Sequence, residues 1–472
     1  MKYSLKILFA IFYLILVGQV KRTFASHAAG AEISYVCLGS GNYEITYMLY
    51  RDCYGILPNT SMDFQITNDC GIPAQTVFLS QLGMEVDVIN VCPTSVTTCH
   101  GGPYTGIQKY TYRGIVNLSA ECTWYIGHGE PARNAAITTI TGGGSDILFV
   151  SCMINNRSGI CNNSPLFTED PILSYCVGQI LLVEPPVNDN ENDSLSFELI
   201  TPRTGPNLFD TVTFLAGYSK SQPFMCNSPM TFNPVTGIFR GIPSTTDISI
   251  YALMINEFRN GVLIGQVVRD ITLTAENCNN IIPFFTGING FPSYNIDVIA
   301  NQLNCFFISA IDPNSTNQTT IEYDYSIPGM TFTSSGGQVD TGYFCWTPTL
   351  ADTLQNPYCF RVKVTDGNCP MLGISGRNFY LNVQTAVGVD DILQSGFTIW
   401  PNPFSSEINL SSSLTGKIEI KLFDIQGRQV MNSIVAEPNG VVKLNYLEEG
   451  IYLISIKSLT TGQVKWERIL KE

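Results

Sequence analysis

The sequence predicts an all-β, multidomain protein, in which tandem immunoglobulin-like β-sandwiches lie between a cysteine-rich N-terminal β domain and a small C-terminal β-sandwich. Short runs of alternating apolar and polar residues are separated by Gly, Asn and Ser turns, and no long stretch has the 3.6-residue period of a helix. A segment of about 100 residues, the size of one sandwich domain, occurs twice. The 472 residues suffice for roughly three or four domains.

The first 25 residues have the pattern of a secretory signal peptide. Lys2 and Lys6 precede an apolar run from Ile7 to Val17, which at about 11 residues is shorter than the ~20 needed to span a bilayer. Small residues around Ala25 suit cleavage after that position. We therefore predict a signal peptide at residues 1–25, with an uncleaved membrane anchor as the alternative, and no transmembrane span in the mature chain.

The charge balance argues against one class of partner. Charged residues make up 14% of the chain, and the net charge is −14. Binding to the phosphate backbone of a nucleic acid requires a basic surface, so we expect no nucleic-acid partner. The acidic balance identifies no ligand by itself, because it mainly keeps a secreted protein soluble.

The 15 cysteines indicate an oxidising compartment, and none lies in the predicted signal peptide. The sequence contains no Cys-x-x-Cys motif, which argues against zinc-ribbon and thioredoxin-like sites. We therefore expect disulfide bonds. The odd number leaves one thiol unpaired or bonded to another chain, and the spacings leave the connectivity open.

Residues 26–164 are predicted to form the cysteine-rich N-terminal β domain. The turn signal Gly39-Ser40-Gly41-Asn42 joins its first two strands. The strands are predicted at Glu32–Leu38, Tyr43–Tyr50, Asp63–Thr67, Thr76–Leu79, Lys109–Leu118 and Ile147–Ile154. Tyr43, Tyr47 and Tyr50 could stack against sugars, but tyrosine is a good strand former and packing within the sheet is favoured.

Several stretches of this region carry a family resemblance. His27 to Gly30, the run from Tyr47 to Cys53, Trp124, and Arg133 to Ile137 resemble the N-terminal region of large Bacteroidota surface proteins that are associated with gliding motility. The resemblance implies a location at the cell surface and no particular chemistry.

An internal repeat defines the next two predicted domains, residues 165–280 and 281–385. Thr236-Gly237-Ile238-Phe239 returns as Thr341-Gly342-Tyr343-Phe344, and Pro165-Leu166-Phe167-Thr168 returns as Pro283-Phe284-Phe285-Thr286. The strand pairs that follow are Ser249–Glu257 with Leu263–Ala275, and Tyr358–Asp366 with Ser375–Gln384. Both copies resemble the cadherin-like and immunoglobulin-like modules of bacterial surface proteins. Residues 386–396 are predicted to be a linker.

The best candidate for a binding site is an acidic run in the first copy. Asp189, Glu191 and Asp193 place carboxylates at alternate positions, and Ca²⁺ takes about six to eight oxygen ligands. The run also resembles aspartate-rich loops of cadherin-like domains, so calcium is the one cofactor that the sequence suggests. A polar hairpin turn without metal is the alternative, because Asn and Asp favour turns. The second copy, Ile311 to Asn317, has fewer carboxylates, which weakens the calcium hypothesis there.

No catalytic constellation is recognisable in the sequence. His27, His100 and His128 are the three histidines, and neither a Gly-x-Ser-x-Gly nor a His-Glu-x-x-His motif is present. A secreted hydrolase with an unrecognised site in the N-terminal domain is the alternative to a non-enzymatic protein. Such an enzyme would need two convergent carboxylates, or a histidine beside a nucleophile, in a deep pocket within residues 26–180.

Residues 397–472 carry the most specific motifs. The segment opens with Pro401-Asn402-Pro403, Gly427 marks a turn, and Gly450 opens a strand that contains Tyr452. Alternating apolar residues predict a small antiparallel sandwich. The strands are predicted at Glu407–Ser411, Lys417–Asp424, Val441–Tyr446, Gly450–Ser458 and Lys465–Leu470.

These C-terminal motifs resemble the sorting domain of proteins exported by the type IX secretion system of Bacteroidota. The resemblance implies passage through the periplasm to the outer cell surface or the medium, with the secretion machinery as partner. Together with the repeats, it predicts an exported, non-enzymatic, adhesin-like binding or structural protein. Its surface ligand, a protein or a polysaccharide, is not identified by the sequence. A component of gliding motility or of a surface layer is a further alternative.

Overall fold

The computed structural model describes residues 27–88, 91–92, 94–207, 209–314, 318–370, 372–385, 397–412, 416–437, 439–460 and 464–472. The predicted signal peptide and the predicted linker at 386–396 lie outside the described residues. Within these ranges the only helices are short 3₁₀ turns at Thr98–His100, Gly143–Ser145, Arg157–Gly159 and Leu350–Leu354, so the all-β prediction is confirmed. The chain divides into two compact units, Met1–Val383 and Gln384–Glu472.

The first domain of the larger unit contains strands β1 to β17. Their bounds are β1 (Ala28–Gly39), β2 (Asn42–Asp52), β3 (Ser61–Asn68), β4 (Gln75–Gln81), β5 (Val86–Val88), β6 (Ile107–Asn117), β7 (Thr123–Glu130), β8 (Leu148–Asn155), β9 (Leu166–Phe167), β10 (Ser174–Cys176), β11 (Leu181–Val183), β12 (Val187–Asn188), β13 (Ser194–Ile200), β14 (Thr231–Phe232), β15 (Phe239–Gly241), β16 (Asp247–Arg259) and β17 (Val262–Glu276). Twelve of these strands belong to one sheet.

This sheet closes on itself through its longest strand. The order β1-β2-β6-β4-β3-β7-β8-β17 returns to β1, because β17 pairs with β8 through Gly265–Val267 and with β1 through Arg269–Ile271. Strand β16 pairs along the opposite edge of β17, and β13 pairs with β16. The 15 residues of β17 therefore connect the early strands of the chain to the later ones.

The predicted domain boundary between residues 164 and 165 differs from the structure. It falls inside this continuous sheet and inside one hydrophobic core that runs from Ala28 to Ala275. The first repeat copy supplies β16 and β17 to the shared sheet, and the small sheet β11-β15-β14 contributes to the same core. The repeat correctly predicted the positions of β16 and β17. A local sequence pattern, however, carries no information about pairing between strands more than 100 residues apart.

The tyrosines of β2 belong to the core. Tyr43, Tyr47 and Tyr50 are each at most 1% exposed. The ring of Tyr47 meets that of Phe64 edge-on at 5.2 Å, an arrangement that aromatic pairs prefer. Packing is therefore the confirmed interpretation of these residues, and the sugar-stacking alternative is wrong.

The second sandwich consists of two four-stranded antiparallel sheets. Its strands are β18 (Phe284–Ile288), β19 (Asn295–Ile299), β20 (Asn304–Ile311), β21 (Thr319–Tyr323), β22 (Thr331–Ser334), β23 (Val339–Trp346), β24 (Tyr358–Asp366) and β25 (Ile374–Gln384). The sheet orders are β18-β20-β23-β22 and β19-β25-β24-β21. Phe306, Phe344, Phe360 and Phe379 fill the space between the sheets, as expected for an immunoglobulin-like sandwich.

A disulfide bond and a buried arginine join the first domain to the second sandwich. Cys92 is bonded to Cys369, 277 residues later, with 5.6 Å between their Cα atoms. Arg361 of the second sandwich donates to a carboxylate oxygen of Glu169 at 2.5 Å and to the carbonyl of Glu184 at 3.3 Å. The two domains are thus held together by covalent and ionic contacts.

Twelve of the 15 cysteines form disulfide bonds, in agreement with the expectation of an oxidised protein. The pairs are Cys37–Cys161, Cys53–Cys99, Cys70–Cys122, Cys92–Cys369, Cys176–Cys278 and Cys305–Cys345. The free thiols are those of Cys152, Cys226 and Cys359. The odd count therefore reflects three unpaired cysteines.

The C-terminal unit is a small sandwich of a three-stranded and a four-stranded sheet. Its strands are β26 (Phe397–Trp400), β27 (Glu407–Ser412), β28 (Ile418–Asp424), β29 (Gln429–Ala436), β30 (Gly440–Lys443), β31 (Gly450–Ser458) and β32 (Val464–Lys471). The sheet orders are β26-β27-β30 and β29-β28-β31-β32. Ile408, Ile420, Leu422, Ile454 and Ile456 are fully buried in its own core.

Candidate functional site

The acidic run predicted to bind calcium forms the turn between β12 and β13, two strands that belong to different sheets. Asn192 adopts the left-handed conformation (φ 58°) that a tight turn needs, and the backbone amide of Asp193 donates to Asp189 Oδ2 at 2.5 Å. These contacts are ordinary turn contacts. They do not explain where the remaining carboxylate oxygens of the turn lie.

A third carboxylate, from a strand distant in sequence, lies beside the turn. One oxygen each of Asp189, Asp193 and Glu257 lie within 4.8 Å of one another. Glu257 is on β16 and is completely buried. Gly265 lies opposite it on β17, where a Cβ atom would clash with Glu257 Oε2 and with the hydroxyl of Tyr35. Glycine at this position makes room for the buried carboxylate.

The neighbouring polar groups satisfy only part of this cluster. Asn162 Nδ2 donates to Glu257 Oε2 at 2.6 Å, and Arg259 Nη2 donates to Asp193 Oδ2 at 2.5 Å. Glu191 Oε1 accepts from the side chain of Asn163, also at 2.5 Å. Three buried oxygens have no hydrogen-bond partner among the described residues, and these are Asp189 Oδ1, Glu191 Oε2 and Glu257 Oε1.

Burial and like charges shift the pKa values of the carboxyl groups in this cluster. Burial raises the pKa of Glu257 to about 9, and the nearby charges of Asp189 and Asp193 act in the same direction. Burial also raises the pKa of Asp189. Arg259 is the cation that pairs directly with the cluster, and it contacts Asp193.

The structure brings together two of the three residues that the sequence singled out. Asp189 and Asp193 share the site, whereas Glu191 turns one oxygen to Asn163. Sequence reasoning missed Glu257, although it lies in the inward-facing register of a strand whose residues Tyr251, Leu253 and Ile255 are buried. A glutamate in that register was the signal that could have found it.

The equivalent segment of the second copy is described only as far as Asn314. There, Asp312 Oδ1 accepts from the backbone amide of Asn314 at 2.7 Å, which is an ordinary turn contact. Residues 315–317 lie outside the described residues.

The histidines that lie in secondary structure make structural contacts. The buried imidazole of His128 contacts the carbonyl of Asp63 at 2.7 Å and Glu130 Oε2 at 3.3 Å. Nε2 of His100, which is exposed, lies 2.5 Å from Asp87 Oδ2. Each histidine is therefore oriented by an acceptor of the fold.

A polar cleft of about 490 Å³ lies between the first domain and the second sandwich. Its walls carry the carboxylates of Glu32, Asp87, Glu169 and Asp170. Glu32 pairs with Arg269, Glu169 with Arg361 and Asp170 with Lys109, and Asp87 contacts His100. Of these pairs, Glu169–Arg361 joins the two domains across the cleft.

The Pro-Asn-Pro motif of the C-terminal unit lies between β26 and β27. The side chain of Asn402 donates to the carbonyl of Arg468 at 2.8 Å and accepts from the amide of Leu470 at 2.9 Å. Pro401 and Pro403 flank this residue and end the pairing of β26, because proline lacks an amide donor. The motif thus attaches the beginning of the unit to its last strand.

The other motif residues of this unit shape two turns. Gly427 has φ 78°, and its amide donates to the carbonyl of Asp424 at 3.0 Å in the turn between β28 and β29. Gly450 opens β31, and the hydroxyl of Tyr452 on that strand donates to the carbonyl of Glu448 at 2.9 Å. The motif residues therefore hold the sandwich in shape.

These observations define a multidomain β-sandwich protein that ends in a compact, independently packed β domain. Residues 398–471 match the family described as a secretion system C-terminal sorting domain, the domain of type IX export. This domain marks the chain for secretion or for export to the outer surface. No curated protein sequence matches the chain.

Three solved structures illustrate the similarity of the chain to known proteins, in each case at low identity. The tandem immunoglobulin repeats of Dlar are 12% identical, with coverage of 47% of this chain and 98% of that one and a TM-score of 0.20. The zebrafish RET cadherin-like domains 1 to 4 are 12% identical, with coverage of 65% and 72% and a TM-score of 0.16. The S-layer protein rSbsC is 11% identical, with coverage of 93% and 66% and a TM-score of 0.16.

Within the part of the chain that the structure describes, no helix combines the length and the apolar character that crossing a membrane requires.

Proposed function

We propose that this chain is an exported, non-enzymatic surface protein with a binding or structural, adhesin-like role, carried across the outer membrane of a Bacteroidota cell by the type IX secretion machinery. The single observation that supports this proposal is the match of residues 398–471 to a secretion sorting domain. The matched unit has its own core, as expected for a domain that directs export independently of the rest of the chain.

The architecture of the larger unit supports the binding or structural role. The Cys92–Cys369 bond and the Glu169–Arg361 ion pair join its two domains, so that the domains present one shared surface and do not move independently. Six disulfide bonds suit a protein that works outside the cell. The ligand of this surface is a protein or a polysaccharide.

Cell fractionation with intact-mass analysis tests the export proposal. We expect the full-length protein to reach the surface or the medium, and a chain that ends at Ala386 to accumulate in the periplasm. A matched control uses two fusions of one periplasmic reporter, to residues 397–472 and to the second sandwich. Only the first fusion should be exported. Equal distribution of the full-length and shortened chains would refute the proposed address.

Binding and hydrolysis are distinguished on the exported protein. Labelled protein is incubated with whole cells, polysaccharides and surface proteins, and both retention and release of products are measured. Saturable retention without new reducing ends or peptides is expected. Turnover of any of these substrates would favour the hydrolase alternative.

A further inference from the structure

We propose that Asp189, Asp193 and Glu257 form a calcium site that fastens the turn between β12 and β13 to strand β16. The site does not depend on the export route of the protein. Its ligands come from two places in the first domain, 64 residues apart between Asp193 and Glu257, so that a bound ion would act as a cross-link within the fold.

The spacing of the oxygens suits calcium. Ca²⁺ binds oxygen at about 2.3–2.6 Å, so two oxygens on opposite sides of the ion are separated by roughly 4.8 Å. The three carboxylate oxygens of the cluster lie within 4.8 Å of one another. Mg²⁺ gives up its water ligands reluctantly and usually keeps several of them, so a buried cluster of protein oxygens is the poorer site for it.

The burial of Glu257 is the independent observation that points to a cation. This side chain is completely buried, and its Oε1 atom has no hydrogen-bond partner among the described residues. Burying a carboxylate without a partner costs several kcal/mol by order of magnitude, so such groups are usually paired or bound to a metal. Asp189 Oδ1 is also buried and unpartnered at the same place.

A shared proton would neutralise less of this cluster than a divalent cation. A proton between Asp189 and Glu257 would join two of the unpartnered oxygens but would leave one negative charge on this pair beside the carboxylate of Asp193. Asp193 can serve both Arg259 and a metal, because each carboxylate oxygen has two lone pairs. A divalent cation also offsets the negative charge that Glu191 adds beside the site.

The neighbouring residues are arranged as supports of the ligands. Asn162 orients Glu257 through its side-chain amide and accepts at 2.7 Å from Arg259, the guanidinium that holds Asp193. Asn163 holds Glu191 through both its backbone and side-chain nitrogens. Such outer contacts fix the orientation of metal ligands.

The proposal is tested on the purified exported chain after removal of divalent ions with a chelator. Isothermal titration with CaCl₂ should show one saturable site, and calcium at about 100 times its dissociation constant should raise the melting temperature of the larger unit by roughly 5 °C. MgCl₂ should bind at least tenfold more weakly. Absence of saturable calcium binding, or equal binding of magnesium, would overturn the assignment.

Two matched variants locate the site. Glu257→Gln keeps the shape of the side chain, removes the charge and should abolish the calcium-dependent shift. In chelator, it should melt at or above the temperature of the unmodified protein, because it relieves carboxylate repulsion. The control is Glu198→Gln, a change at an exposed residue of β13, and this variant should bind calcium as the unmodified protein does. If Glu257→Gln still binds calcium with unchanged affinity, the ion is elsewhere and the proposal fails.

Discussion

The side chain of Asn402 accepts a hydrogen bond from the backbone amide of Leu470, 68 residues later, at 2.9 Å. Its amide nitrogen also donates to the carbonyl of Arg468. A single side chain therefore joins the Pro-Asn-Pro segment to β32. This relationship gives a physical reason for asparagine between the two prolines, since an asparagine side chain can donate and accept at once.

Asn402→Ala should loosen the C-terminal unit. The loss of two exposed hydrogen bonds is expected to cost about 1–2 kcal/mol in the free energy of local opening, against one such bond in the control. Hydrogen–deuterium exchange of the β32 amides in the full chain measures this directly. Asn409→Ala is the control, because Asn409 donates one exposed hydrogen bond, to the carbonyl of Trp400. Equal exchange in the two variants would contradict the role of Asn402.

Arg361→Ala should weaken the attachment of the second sandwich to the first domain. Arg361 is 6% exposed, and its removal leaves Glu169 and the carbonyl of Glu184 without their cation. Loss of one partner of a largely buried ion pair costs about 3 kcal/mol. Calorimetry should show a lower melting temperature or a split transition of the larger unit.

Lys363→Ala provides the comparison for Arg361. Lys363 lies on the same strand, and its ion pair with Glu322 is solvent-exposed, so we expect a loss below about 1 kcal/mol. A loss at Lys363 that equals the loss at Arg361 would mean that the interdomain pair adds nothing beyond a surface contact.

Removal of the Cys92–Cys369 bond in a Cys92→Ser, Cys369→Ser variant should free the two domains to separate. The bond spans 277 residues. A cross-link restricts the conformations of the unfolded chain and so stabilises the folded protein by about 2–4 kcal/mol. Limited proteolysis should cut residues near 278–283 faster than in the unmodified protein. The Cys305→Ser, Cys345→Ser variant is the control, because that bond joins neighbouring strands inside one sandwich. Unchanged cleavage near 278–283 would show that the interdomain bond does not restrain the junction.

Local patterns predicted 15 of the 32 strands among the described residues. Strands β24 and β31 occur at the predicted residues, because period-two alternation depends on local burial. Strand β7 was missed, since Gly127 and Gly129 interrupt its pattern. Phe149 explains Gly127: a Cβ there would come within 2.5 Å of its ring. Packing against a distant residue therefore overrides the local propensity.

The candidate site shows the same limit more sharply. The acidic turn was evident from Asp189 and Asp193, which are close in sequence. Glu257 completes the candidate site only through the pairing of β13 with β16 and of β16 with β17, which determines the carboxylate that faces the turn. Likewise, the closure of the sheet through β17 could not be derived from the repeat, so the predicted boundary at 164 divided one core.

Cys359 should react slowly with thiol reagents even though its residue is exposed. Loss of hydration beside the neighbouring strands raises the pKa of this thiol to about 12, and the negative charges of Glu184 and Asp324 act in the same direction. An ordinary cysteine has a pKa near about 8.5, and the thiolate is the reacting form, so alkylation at pH 7.5 should be on the order of a thousandfold slower. The rate should rise about tenfold per pH unit between pH 7 and 9.5. Peptide mapping after iodoacetamide labelling measures it, with Cys359→Ser to assign the peptide. A rate that levels off near pH 9 would show that the thiol is not shielded.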